Sequence, residues 1–162
     1  KQGKLKAGKE LLIGPDASAK FKKVKSTTIE MHYHRLSEAD AGLVVGIAIR
    51  GIKQEDISRG MVLCEDDLKP RAVKACEAEI LVLQHPTRIA DGYEPIYHGN
   101  TVASTIKLEL MDKSYLKAGE SGKVRMNFKY APQFVQEGDK FVFREGKTKG
   151  IGTITKIVKY AS

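Results

Sequence analysis

Four residues of this sequence could together make one metal site: His32 and His34, an H-x-H pair, and Cys64 and Cys76. Residues i and i+2 of a strand share a face, so both imidazoles could reach one ion, and two thiolates would complete a tetrahedral zinc site. No C-x-x-C knuckle supports the cysteines, so two histidines on the polar face of a strand is the plainer reading. Gly146-Lys147-Thr148 has the ending of a phosphate-binding loop. That loop needs a second glycine five residues earlier and a helix afterwards; position 141 is Phe and a strand pattern follows. His85-Pro86 and His98 have no serine or cysteine partner at a useful spacing, and Asp66-Asp67 sits in a loop, so no catalytic centre is expected and no metal site is assigned. Arg59-Gly60 and Arg144-Glu145-Gly146-Lys147-Thr148-Lys149 are different. Each sets cations at a glycine-bearing turn, where guanidinium, ammonium and exposed backbone N–H groups can meet sugar and phosphate.

The elements that position these residues repeat with period two, the strand period. Residues 25–35 read KSTTIEMHYHR, which predicts Thr27, Ile29, Met31 and Tyr33 on one face. Residues 123–130 read KVRMNFKY and predict Val124, Met126, Phe128 and Tyr130 inward. Residues 140–144, KFVFR, and the Ile/Val alternation of 151–160 read the same way, and residues 77–83 form a long apolar strand. Only residues 54–58 look helical, for one turn. Leu5-Lys6-Ala7-Gly8 recurs as Leu116-Lys117-Ala118-Gly119, each a strand-end turn, and Ala41-Gly42 resembles both. The polar stretch 66–72, with Pro70, is the boundary candidate. The expectation is an all-β chain of two small antiparallel β-barrels in tandem, residues 1–70 and residues 73–162.

The 162 residues carry 28 Lys+Arg against 20 Asp+Glu, a net charge of +8, and eight of the lysines fall in residues 1–25. Such an excess permits a nucleic-acid partner without requiring one, because lysines also guard strand edges. No apolar run approaches the roughly 18 residues of a membrane span. Residues 1–9 are Lys-rich with no apolar stretch behind them, so no secretory signal is expected. Two cysteines make no disulfide framework, which points to a reducing, cytoplasmic setting.

The segment from Ala41 to Leu63, AGLVVGIAIRGIKQEDISRGMVL, resembles the central part of the second domain of elongation factor Tu and elongation factor 1-alpha. Residues 79–99, EILVLQHPTRIADGYEPIYHG, resemble the opening of their third domain, and residues 141–152, FVFREGKTKGIG, its close. The resemblance covers nearly the whole chain in the expected order. It implies a module that binds the acceptor end and T stem of aminoacyl-tRNA at the ribosome and docks on an N-terminal GTP-binding domain, which would hold GTP and Mg²⁺. No cofactor is implied for this chain and no catalysis, the parent being the GTPase. By motif, Arg59 stands near the acceptor-end phosphates and Asp56, a shortened acid, near the terminal adenosine. Arg144, Gly146 and Thr148, with Lys147 and Lys149 beside them, fall in the turn that approaches the T stem. The first strand of the second domain is expected to be missing, because residues 3–8 already match the turn after it, and the third domain is one residue short at Gly146-Lys147. The MHYH strand departs from mainstream factors, placing the chain with elongation-factor-like GTP-binding proteins, including archaeal ones. The alternative is a docking module for an exchange factor or another regulator, without tRNA.

Overall fold

The computed structural model describes residues 3–161, so Lys1 of the basic stretch lies outside the described residues. Among the described residues, thirteen strands and two single-turn 3-10 helices account for the fold. The strands are β1 Lys4–Lys6, β2 Glu10–Gly14, β3 Lys22–Met31, β4 His34–Leu36, β5 Glu38–Asp40, β6 Gly46–Arg50, β7 Val62–Cys64, β8 Val73–Gln84, β9 Ile96–Gly99, β10 Val102–Leu110, β11 Ser121–Phe128, β12 Lys140–Glu145 and β13 Thr148–Tyr160. The 3-10 turns are Gln54–Asp56, where the single helical turn was expected, and Asp66–Leu68. All pairings are antiparallel. The chain is all-β and barrel-built, as its period-two patterning requires.

In the first module β3 is the hub. β6 runs along one of its edges, and β2 and then β4 along the other, so Lys25 faces both Glu10 and Arg50, and Glu30 faces both Arg35 and Gly46. β7 extends the sheet beyond β2, and a β1–β5 ribbon stands beside it. The sheet curls around Leu11, Ile13 and Val24, with Leu5, Ile49, Ile52, Met61 and Leu63 packed against them. The buried Ser26 hydroxyl bridges the turn after β1: it donates toward the Lys6 and Lys9 carbonyl oxygens and accepts from the Lys9 N–H at 3.1 Å.

The second module closes completely, in the order β10-β11-β8-β13-β12-β9. Its interior holds Val73, Cys76, Ile80, Val82, Tyr97, Ile106, Leu108, Val124, Met126, Phe128, Phe141, Phe143 and Ile154 among others. Tyr97 stacks on Phe141 at 4.8 Å and meets Phe128 edge-on at 5.6 Å. These rings fit because glycines face them: a Cβ on Gly150 would lie 2.0 Å from Phe143, and one on Gly152 2.5 Å from Phe141. The repeated LKAG segments take the same form, Ala7-Gly8 and Ala118-Gly119 both turning with the glycine left-handed, at φ 81° and 86°.

Three alternation expectations fail at identifiable places. β3 carries a bulge between Ser26 and Thr28, so the inward face passes from Val24 and Ser26 to Ile29 and leaves Thr27 outside that series. Residues 25–35 are not one strand, because His32 and Tyr33 form a two-residue turn, and Tyr33 is fully exposed. β11 ends at Phe128, so Tyr130 points to solvent. Along β13, Ile151 and Ile154 are three residues apart and so lie on opposite faces, Ile154 buried and Ile151 half-exposed, and past the bulges that follow Ile154 both Val158 and Tyr160 stay half-exposed.

Candidate nucleic-acid interface

β12 and β13 meet at a two-residue turn, Gly146-Lys147, with Glu145 opposite Thr148, Arg144 opposite Lys149 and Phe143 opposite Gly150. Alternation sends Phe143 inward and puts Arg144 and Lys149 side by side on the outer face. Like charges directly opposite one another oppose sheet pairing. Among the described residues neither they nor Lys147 forms an ion pair, so three unpaired cations project from one tip, with Glu145 turned to Tyr93.

The tip is held from behind. Thr148 is buried, and its Oγ1 shares a hydrogen bond of 2.6 Å with His85 Nδ1. Its hydroxyl is therefore occupied inside the protein, while Gly146, Lys147 and Lys149 face outward. Tyr93 packs edge-on against His85 and donates its hydroxyl to Glu145 Oε2 at 3.0 Å. Burial, reinforced by the Glu145 carboxylate and opposed by the hydrogen bond to Thr148, pushes the Tyr93 phenol up to about 12. The loop from 85 to 93 is thus clamped to the hairpin at both ends. Its middle is pinned by the Ile89–Leu116 bridge, which brings the Arg88 guanidinium 5.3 Å and the Lys117 ammonium 5.6 Å from the Tyr115 ring. Arg88, Tyr115, Lys117, His85 and Tyr93 escape a reading by spacing. Only the bridge and the clamp bring them together, and Lys117 was legible solely as part of the LKAG turn.

Arg59 lies exposed in a turn closed by Gly60, which is left-handed at φ 95°. A Cβ there would approach Gln133 Oε1 to 3.2 Å and the Thr101 carbonyl to 3.9 Å, so this turn of the first module sits against the second. Gln133 is fixed in turn by paired backbone hydrogen bonds with Val73, and Phe21 meets Phe134 edge-on at 6.2 Å across the same seam. Ile96, at the other end of β9, pairs with Arg144. The Gly60 turn and the hairpin tip therefore lie toward opposite ends of β9. Asp56 is exposed in its 3-10 turn and is not drawn into either group.

The metal reading does not survive. His32 is a left-handed turn residue and not the face-mate of His34, and Cys76 is sealed in the second barrel, where burial pushes its thiol up to about 12. Cys64 is half-buried in the first module, with its thiol directed at the Leu12 carbonyl. Among the described residues no three His, Cys, Asp or Glu side chains are grouped as metal ligands would be. Gly146-Lys147-Thr148 is a hairpin turn with a buried threonine, not a phosphate loop. No described helix is long and apolar enough to cross a membrane.

A further outer surface adjoins the tip. Leu81, Ile151 and Val142 lie in register across β8, β13 and β12, followed by His98 on β9. They line an open groove of about 650 Å³ with Thr153 and Lys140 at its side, and the half-exposed Ile96 lies one step along β9.

Comparison with known proteins agrees with this architecture. Residues 1–64 match the family model for elongation factor Tu domain 2, and residues 69–158 that for the elongation factor Tu C-terminal domain. GTP-binding protein 1 of Xenopus laevis is 34% identical over 98% of this chain and 24% of its own length. Elongation factor 1-alpha of Pyrobaculum arsenaticum is 37% identical over 85% of the chain and 29% of its own, and human GTP-binding protein 2 is 30% identical over 96% and 26%. The chain spans only 24–29% of the length of these relatives. With both domain models matched in order on an all-β, barrel-built chain, the protein belongs to the elongation factor Tu family, and it carries that family's second and C-terminal domains.

Proposed function

We propose that this double-β module holds the acceptor end and T stem of a tRNA for a GTP-binding domain of the same parent protein, in the cytoplasm and at the ribosome. The observation that carries the reading is the β12–β13 tip, where Arg144, Lys147 and Lys149 stand unpaired on a turn braced by His85, Thr148 and Tyr93. A braced cationic turn suits a stem gripped by its backbone, since sequence-blind contacts serve every tRNA alike. The Arg88–Tyr115–Lys117 group extends that surface, and Arg59 supplies a second foothold for the acceptor end, with Asp56 nearby in sequence. The module does no chemistry itself; GTP and Mg²⁺ belong to the GTP-binding domain. The Leu81–Ile151–Val142 row is where that domain docks. The same row favours a second reading, in which an exchange factor or other regulator is the docked partner and tRNA is not bound.

Arg144→Ala in the full-length protein separates the two. Loss of one phosphate contact weakens tRNA binding and lowers the slope of log K against log salt by about 0.7–0.9. Unchanged affinity and slope would remove the tip from an RNA site and leave the docking reading.

A further inference from the structure

We propose that RNA binding at the β12–β13 tip is proton-linked: His85 takes up a proton from solvent at Nε2 as phosphates approach Arg144, Lys147 and Lys149. The coupling presupposes the RNA reading of that tip and adds a pH dependence to it.

Counting hydrogens fixes the tautomer of the imidazole. A carboxylate only accepts, so the hydroxyl proton of Tyr93 is spent on Glu145 Oε2, at 3.0 Å. Tyr93 also hydrogen-bonds with Thr148, and with its own proton committed the phenol oxygen accepts there. That bond favours the phenolate, as a bond donated to the phenol oxygen must. The one hydroxyl proton of Thr148 is then used. Across the 2.6 Å contact Thr148 Oγ1 therefore accepts and His85 Nδ1 donates. The chain runs from His85 Nδ1–H to Thr148, from Thr148 to Tyr93 and from Tyr93 to Glu145. Nδ1 keeps its hydrogen in both charge states of the ring, so a proton added at Nε2 leaves the brace intact. Nε2 has no hydrogen-bond partner among the described residues, and His85 is only half-buried, so solvent reaches the ring.

Charges of both signs act on that ring. Glu145, on β12, favours positive charge at His85 through three hydrogen bonds that polarise one another. Against it stand Arg144 of β12, Lys147 of the turn and Lys149 of β13, which pairs with Gln84 next to His85. Arg88 on the ring's own loop and Lys117 beyond it add to that side. The remaining acids nearby are engaged elsewhere: Asp91 accepts from the Leu110 N–H, and Glu94 pairs with Lys129. In the free protein the like charges oppose an imidazolium. RNA phosphates neutralise those cations, and the Glu145 end of the chain then prevails. Binding that takes up a proton strengthens as pH falls, by linkage. Histidine is the side chain suited to such a change between about pH 5 and pH 8.

The test is fluorescence anisotropy of the full-length protein with a labelled tRNA, at constant ionic strength, between about pH 5.5 and pH 8. Melting temperatures at both ends establish that each variant is folded. The parent protein tightens about 10-fold as pH falls through that range. His85→Asn, whose amide can still donate from the Nδ1 position, binds equally at both ends. Tyr93→Phe, which cuts the chain before Glu145, moves the rise in affinity to lower pH. A flat profile in the parent overturns the proposal. So does a rise that survives His85→Asn, which would assign the proton to another group, His98 or the RNA itself. A loss in His85→Asn of one size at every pH would show a bracing role alone and overturns it too. The two readings fail separately. Binding insensitive to Arg144→Ala overturns the tip as an RNA site and this coupling with it. Binding that responds to Arg144→Ala but not to pH overturns the coupling alone.

Discussion

In residues 73–160 six strands close around Tyr97, Phe128, Phe141, Phe143 and a shell of branched aliphatics, and every strand has two neighbours. In residues 4–64 a curled sheet and a separate ribbon enclose a cluster centred on Leu11, Ile13 and Val24, and much of the length lies in loops and turns. The two modules share the same strand alternation, so the difference is closure. A closed barrel has no open edge and a full interior; a curled sheet depends on what it leans against. The first module leans on the second through Gly60 and Phe21. Stability therefore resides mainly in the second barrel, and the exposed, left-handed and loop-borne features concentrate in the first.

The largest expected effect strikes the barrel core. Phe143→Ala, at a fully buried position, costs about 3–5 kcal/mol by calorimetry, whereas Val24→Ala in the smaller cluster costs about half that. Equal losses would contradict the contrast between the cores. Next comes the seam. Gly60→Ala forces a side chain into a left-handed position against Gln133 and is expected to cost about 1–3 kcal/mol. It also loosens the first module from the second, seen as a broadened or split melting transition. A single sharp transition with an unshifted midpoint would show that the first module stands without the seam.

The third effect is alkaline. Burial raises the Cys76 thiol from about 9 to about 12 and the Tyr93 phenol from about 10 to about 12, and it raises Tyr97 as well. Each of these acids holds its proton more tightly when folded. Their stabilising contribution is complete below the unfolded values and is lost as pH rises through the folded ones. Denaturant midpoints are thus expected to fall between about pH 9 and pH 12, mostly in signals from the second barrel, and Tyr93→Phe should flatten the upper part of that fall. A decline carried by the first module alone would reverse the assignment.

Much of this was legible in sequence where one strand stays regular. Val124, Met126 and Phe128 alternate inward as written, and the LKAG pair marks two turns of one form. Reading failed where the period was interrupted without punctuation. Nothing in KSTTIEMHYHR announces a turn, because His32-Tyr33 lacks the glycine or asparagine that usually signals one, and the bulge at Ser26 and Thr28 has no residue signature. The candidate interface was half visible. Arg144, Lys147 and Lys149 are close in sequence, so the tip was found. The burial of Thr148, the clamp from His85 and Tyr93, and the Arg88–Tyr115–Lys117 group depend on pairings between distant segments. The seat of Gly60 against Gln133 is a tertiary contact of the same kind.

The grip proposed for the β12–β13 tip on an RNA backbone is one of charge. Its most direct measurement is the salt dependence of tRNA binding by the full-length protein and by its Arg144→Ala/Lys147→Ala/Lys149→Ala variant. Removing three cations is expected to reduce the slope of log K against log salt by about 2–3 and leave the melting temperature within a few degrees. Parallel slopes for the two proteins, with both folded, would contradict it.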